Sequence, residues 1–198
     1  MTNATKPDKK ELIRQAALSV FARHGFYPTT AHQIAEEAGV AVGTLYNHFK
    51  DKEDILMHIL EVEMSERRAA VLEIVASGRS MREQLKEIIA YHMDRSLKNK
   101  FIMRLFLGEE LHLSGKLERF TYQLFKEIPD GMVVMLQAAM DKGELRKADP
   151  MILAHAIMGA NRSVTARACL YDDAEARRIR KLAAEELTEF IWNGMKAD

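Results

Sequence analysis

The stretch TTAHQIAEEAGVAVGTLYNHF, residues 29–49, constrains the fold more than any other part of the chain. It holds two short amphipathic runs with a glycine turn between them, and neither run is long enough to persist as an isolated helix in water. Both must be held by packing. Thr30 stands three residues before Gln33, the pairing of a capping box, so a helix is expected to start at about Ala31 with Ile34, Ala35 and Ala38 on its inner face. Gly39 supplies a sharp turn, and a third helix is expected from about Val42 to Phe49. Their support lies upstream, where Ile13, Ala16, Ala17, Val20 and Phe21 recur at helical spacing over about Lys9 to His24 and Gly25 ends the run. Downstream, Asp51 can cap a fourth helix, with Asp54 in its first turn suiting the helix dipole.

Three helices in this order have the plan of a helix-turn-helix, in which one helix lies across a DNA backbone and the next turns its outer face to base edges in the major groove. At about 100° per residue, Val42, Leu45 and Phe49 fall on one side, to pack on Ile34, Ala35 and the first helix. Gly43, Thr44 and Asn47 fall outward, flanked by Tyr46 and His48. Thr donates to or accepts from base edges, Asn pairs with adenine through two bonds, and Tyr and His bond phosphate oxygens. Gly43 weakens the helix, yet it lets the backbone approach a groove wall closely. The same spacing also fits a short helix that merely closes a bundle, with Asn47 and His48 as ordinary surface.

The longer block RQAALSVFARHGFYPTTAHQIAEEAGVAVGTLYNHFKDKEDIL resembles the N-terminal domain of the tetracycline-repressor (TetR) family, with TT, IAEEAGV, GTLYNHF and KE present in order and in register. The resemblance implies an all-α homodimeric transcriptional regulator, usually a repressor, whose variable C-terminal domain binds a small effector. It implies too that Thr30, Thr44, Tyr46, Asn47, His48 and Lys52 meet phosphates or bases, and Ala41, Val42, Gly43 and Lys50 complete the DNA-facing set expected here. Two positions depart from the family pattern. Ala41 stands where many members have a Ser that caps the third helix, a loss of about 1 kcal/mol. Val42 stands where many carry a polar or basic residue, so operator preference is expected to differ there.

Composition gives DNA binding no support, since 29 basic residues balance 29 acidic ones. Within residues 1–60, Lys6, Lys9, Lys10, Arg14, Arg23, Lys50 and Lys52 are matched by Asp8, Glu11, Glu36, Glu37, Asp51, Glu53 and Asp54. Phosphate contacts depend on which face a charge occupies, however. Lys6, Lys9, Lys10, Arg14, Lys50 and Lys52 are expected around the reading helix with Glu36 and Glu37 elsewhere, which gives a modest dependence of affinity on salt. The polar N-terminus has no apolar leader, and no run of about 18 apolar residues occurs. A cytoplasmic protein with no membrane partner is expected. The single cysteine, Cys169, has no partner for a disulfide or a metal pair and reads as a small buried hydrophobe.

From Lys52 onward there is neither strand alternation nor an internal repeat. Helices are expected over 52–77, 80–98, 100–113, 116–142, 149–170 and 174–194, with Pro129 kinking or splitting the 116–142 span. The fold class is all-α: a three-helix DNA-binding unit over residues 8–51 and a helical bundle over 52–198 for effector binding and dimerisation, joined rigidly through the fourth helix. Leu153, Ile157 and Val164, beside the small residues Ala154, Ala156, Gly159 and Ala160, share one late stripe; Ile179, Leu182, Leu187, Phe190 and Ile191 form another. Two such helices per subunit suit a four-helix interface about a two-fold axis, as the resemblance implies, and equally suit an intramolecular bundle.

Tyr91, Met93, Met103, Phe106, Phe120, Phe125 and Met132 offer the thioethers and aromatic walls of an adaptable apolar pocket, although ordinary core uses the same residues. Glu110, Asn161, Arg162 and Thr165 are the polar groups expected to orient an effector there, although Asn161, Arg162 and Thr165 equally suit bonds across a dimer. Glu109 and His112 make one Glu-x-x-His pair, but a di-iron bundle needs a second pair and two more Glu, so no metal or other cofactor is expected. GxSxG, HExxH, GxGxxG and P-loop patterns are missing, and an enzyme has no residue set to stand on. The expected function is a ligand-responsive DNA-binding regulator acting on a near-palindromic operator. The other reading is a helical carrier or interaction module with a vestigial helix-turn-helix.

Overall fold

The computed structural model describes residues 8–107, 115–126 and 128–197, without the side chains of residues 106, 125, 126 and 128–130. Among the described residues the regular elements are ten helices: α1 (Lys9–His24), α2 (Ala31–Glu37), α3 (Val42–His48), α4 (Lys52–Ala76), α5 (Met81–Lys98), α6 (Lys100–Leu107), α7 (Lys116–Lys126), α8 (Ile128–Asp141), α9 (Pro150–Leu170) and α10 (Ala174–Met195). One isolated bridge, Leu145 to Lys196, holds the α8–α9 connection against the end of α10. No helix among the described residues is long and apolar enough to cross a membrane.

The helix ends lie where local chemistry puts them. Gly25 closes α1 at φ +81°, and Gly39 makes the turn after α2 at φ +64°, both in the region that only glycine enters freely. The capping box at the start of α2 is formed: Gln33 N–H donates to Thr30 Oγ1 across 3.3 Å, and Thr30 N–H donates to Gln33 Oε1 across 2.8 Å. Asp51 caps α4 by accepting from Asp54 N–H at 2.7 Å. Asp149 caps α9, with Pro150 in the first turn, where its missing N–H costs nothing. The expected 116–142 helix is divided into α7 and α8, with Pro129 second in α8, where no intrahelical donor is needed.

Two apolar clusters make the core. The first joins the inner faces of α1, α2 and α3 to Ile55, Leu56, Ile59 and Leu60 of α4, and continues into Phe101, Ile102 and Leu105 of α6 and Leu117 of α7. The second gathers Met81, Leu85 and Ile89 of α5, Leu136 and Met140 of α8, Ala154 and Ile157 of α9, and Leu187, Ile191 and Met195 of α10. The first cluster runs straight through residue 52, so α4 leaves the three-helix unit as a continuous, packed rod.

Midway along α4 its buried face turns polar. Glu63 and Arg67, each 6% exposed, pair at 2.8 Å. From α5, Arg95 donates to both Glu63 carboxylate oxygens and to Glu66, and Arg67 reaches Nδ1 of His92 at 2.9 Å. Burial, helped by the Arg67 charge, pushes the His92 pKa down to about 4. Cys169 is fully buried, as expected of a small hydrophobe, and burial pushes its thiol pKa up.

Candidate DNA-reading surface and ligand domain

Leu45 has no exposure and Phe49 has 3%, whereas Gly43, Asn47 and His48 are exposed and Tyr46 is 54% exposed. Val42 is half-buried against the first cluster, and Thr44 is half-buried. The expected division of α3 into an inner and an outer row therefore holds, with Thr44 at its edge. The outer row is fixed rigidly because the inner row belongs to the first core cluster; truncating Leu45 to alanine would remove about 2–5 kcal/mol. Ala41, exposed at the N-cap of α3, makes no side-chain cap bond, so that helix start lacks the support that α2 and α4 have. A Cβ on Gly43 would meet nothing within 4 Å, so the glycine is not demanded by the fold.

The positive residues expected around α3 divide. Lys50 is exposed. Lys10 lies over the Phe49 ring, 5.6 Å from its centroid, which places its charge beside α3. Arg14 is held by Glu11 through Nε and Nη2 at 2.6 and 2.5 Å, which lowers the Glu11 pKa, so its charge is largely matched. Glu37 is drawn onto Arg23 and Ser19 at the end of α1, and its pKa is lowered by those bonds. Lys52 turns inward: its ammonium donates to the carbonyl oxygens of Phe26, Tyr27 and Thr29 at 3.0, 2.7 and 3.1 Å. In this arrangement its donors are engaged by backbone carbonyls. Thr30, exposed, uses its hydroxyl in the capping box. Lys6 lies outside the described residues.

The expected effector-pocket residues do not share one environment. Met93 and Met103 are buried, each 3% exposed. Phe120 packs on the first core cluster and Met132 on the second. Tyr91 is half-buried, its hydroxyl donating to the Glu66 carbonyl at 3.4 Å. Thr165 is buried and donates to Asn161 Oδ1 at 3.3 Å, while Arg162 is exposed. Glu110, the Glu109–His112 pair and the side chains of Phe106 and Phe125 lie outside what is described. The buried ion network of α4 and α5 was missed by sequence reasoning. Its signal was Glu63 and Arg67, one turn apart and in line with Leu56, Ile59 and Leu60.

An open apolar groove runs along α9 and α10, lined by Val164, Ile179, Leu182, Leu187 and Phe190 among others. Phe190 is 75% exposed and Leu182 38%. Ile157, Leu187 and Ile191, expected at a dimer interface, belong to the second core cluster and are buried within the subunit. Leu153 and Val164 pack on the edge of that cluster. A helix carrying both a buried stripe and an exposed apolar one shows one continuous apolar pattern in sequence, so the two were not separable by periodicity. Gly159 has no atom within 4 Å of where a Cβ would stand, so its small size serves no close approach inside the subunit.

Residues 13–59 match the family described as bacterial regulatory proteins, tetR family, and residues 78–166 match the tetracyclin repressor-like C-terminal domain. The HTH-type transcriptional repressor KstR2 of Rhodococcus jostii is 29% identical over 143 residues, covering 71% of this chain and 70% of that protein. In fold, the chain is similar to the fatty acid degradation regulator FadR from Bacillus halodurans, with a TM-score of 0.81 at 23% identity over 96% of this chain and 97% of that one. The transcriptional regulator FadR from Bacillus subtilis, solved in complex with stearoyl-CoA, superposes with a TM-score of 0.80 at 22% identity, over 93% and 98% of the two chains. At those identities the structural likeness concerns the fold alone.

Proposed function

The chain belongs to the TetR family of bacterial regulatory proteins, and from that premise we propose that it is a homodimeric transcriptional repressor released from its operator by a small, largely apolar effector. The observation that carries the DNA reading is α3 itself. Leu45 and Phe49 lock it to the core, and Gly43, Tyr46, Asn47 and His48 are exposed to solvent. Asn47, with Thr44 at the row's edge, addresses base edges; Tyr46, His48 and Lys50 address phosphates. In a two-fold dimer, two such helices would enter successive major grooves of a near-palindromic operator, about one turn apart.

The open α9–α10 groove, with Phe190 and Leu182 exposed beside it, supports a second copy of the chain as its partner. A repressor name in the Rhodococcus relative and stearoyl-CoA in the Bacillus subtilis structure support repression and an effector with a long apolar acyl part. The effector would act by favouring a spacing of the two α3 helices that no longer fits DNA, through differential affinity for two states of the dimer. This is a cytoplasmic regulator rather than an enzyme. A mobility-shift assay with the promoter of its own gene tests the reading: the wild type should retard it, and Tyr46→Ala should weaken the complex while the dimer stays folded. Operator and acyl-type ligands binding without mutual effect would remove the effector part.

A further inference from the structure

We propose that α10 packs antiparallel on its own copy about a two-fold axis at Leu182, so that Arg178 pairs with the partner's Glu186 and the interface is specific for a second copy of this chain. The inference rests on the homodimer reading above and adds the register and the charges that fix it. Apart from Val164, the open groove is lined by α10, with Leu182 in its middle at 38% exposure. Arg178 and Glu186 line the same groove, four residues before and four after Leu182, and both are exposed. Neither has an ion pair or a side-chain hydrogen bond among the described residues. Other charges of α10 are matched inside the subunit. Glu185 and Glu189 hold Arg82, Glu185 also holds Lys86, Arg180 holds Asp172 across 3.3 Å, and Glu175 holds Arg167 across 2.7 Å. Lys181 is also unmatched, but it stands about 100° round the helix from Leu182 and is not part of the groove. Two opposite charges left without counter-ions on an apolar groove call for a partner that supplies both.

A two-fold axis makes an isologous contact, in which residue i meets residue j and j meets i. One axis satisfies that condition here. Positions 178 and 186 are equally far from 182, so the dimer holds the Arg178–Glu186 pair twice and Leu182 meets the partner's Leu182. The three residues form one i, i+4 ridge, and the commonest crossing of two helices lays such ridges side by side. The same symmetry brings Phe190, 75% exposed, to the partner's Ala174, where a methyl side chain leaves room for the ring. Burying either charge without its counter-ion is costly, whereas the matched pair fixes register and rejects chains whose charges differ.

The test uses full-length protein with charge reversal at the two positions. Arg178→Glu sets two carboxylates against each other twice in its own dimer, and Glu186→Arg does the same with two guanidinium groups. Each variant alone should raise the dimer dissociation constant in sedimentation by about a hundredfold or more, with its helical signal unchanged. An equimolar mixture of the two variants restores both pairs. Native mass spectrometry of chains with tags of different mass should find heterodimers there, within about tenfold of wild-type affinity. The doubly reversed chain should recover its homodimer in the same way. Rising salt should weaken the wild-type dimer more than the Arg178→Gln/Glu186→Gln dimer, because only the wild type carries the pairs. Single variants that dimerise like the wild type, a mixture without recovery, or equal salt dependence would each overturn the pairing and leave the dimer reading standing. A wild-type monomer would overturn both.

Discussion

Arg67 of α4 donates from Nη1 to Nδ1 of His92 on α5 across 2.9 Å. A guanidinium can only donate, so the imidazole must accept at Nδ1 and carry its proton at Nε2, as a neutral ring. Glu63 and Arg95 complete the join, tying the rod that leaves the DNA-reading unit to the ligand domain. A buried charged network of this kind adds little net stability over apolar packing, but it is intolerant of losing one member.

The neutral His92 makes stability depend on pH. Its pKa is about 4 in the fold, below the 6.5 of an unperturbed histidine. Between these values the unfolded chain binds a proton that the folded chain does not, so stability is full above about 6.5 and falls as pH drops towards 4. Allowing for partial exposure of the ring, the loss between pH 7 and pH 5 is about 1 kcal/mol. Urea unfolding at the two pH values should show this loss shrinking by that amount in His92→Gln, which keeps an acceptor for Arg67 but does not titrate. Equal pH dependence in both proteins would mean that His92 titrates in the fold as it does in the unfolded chain.

Gly43 predicts opposite responses of stability and DNA binding, and Ala41 predicts a gain in stability. With open space where its Cβ would stand, Gly43→Ala should raise stability by about 0.5–1 kcal/mol through helix propensity. If the α3 backbone lies against a groove wall, the added methyl should weaken operator binding at the same time. Ala41→Ser should supply the missing cap of α3 and add about 0.5–1 kcal/mol. Thermal unfolding and fluorescence anisotropy on the same preparations check both; a Gly43→Ala protein with unchanged affinity would show that the close approach does not occur.

Phe190, 75% exposed on α10, tests the assembly. Sedimentation at micromolar concentration should find a dimer for the wild type and a monomer for Phe190→Asp, with the helical signal of the variant unchanged. A central aromatic in an interface is commonly worth about 2 kcal/mol or more. A wild-type monomer would remove the dimer, and a dimer that survives the aspartate would place its interface elsewhere.

Much of this was legible in the sequence because the information is local. Thr30 with Gln33, Gly25, Gly39, Asp51 and Pro129 set helix ends within a residue or two, and the inner and outer rows of α3 followed from periodicity. What was not legible depends on which neighbour a side chain meets. Periodicity does not show that Lys52 meets three backbone carbonyls or that Arg14 meets Glu11. Leu187 and Ile191 share a stripe with Phe190, yet only the fold separates the core residues from the exposed one.

Operator affinity of Asn47→Ala, measured beside its unfolding free energy, tests the central claim most directly. Asn47 is exposed on the outer row of α3, so its truncation should change stability by no more than about 0.5 kcal/mol. Removing a two-bond base pairing from each half-site should weaken binding by at least tenfold, at about 1–3 kcal/mol per pairing, and relax preference at one base pair per half-site. Wild-type affinity and an unchanged base preference in a folded Asn47→Ala dimer would contradict the assignment of α3 as the helix that reads DNA.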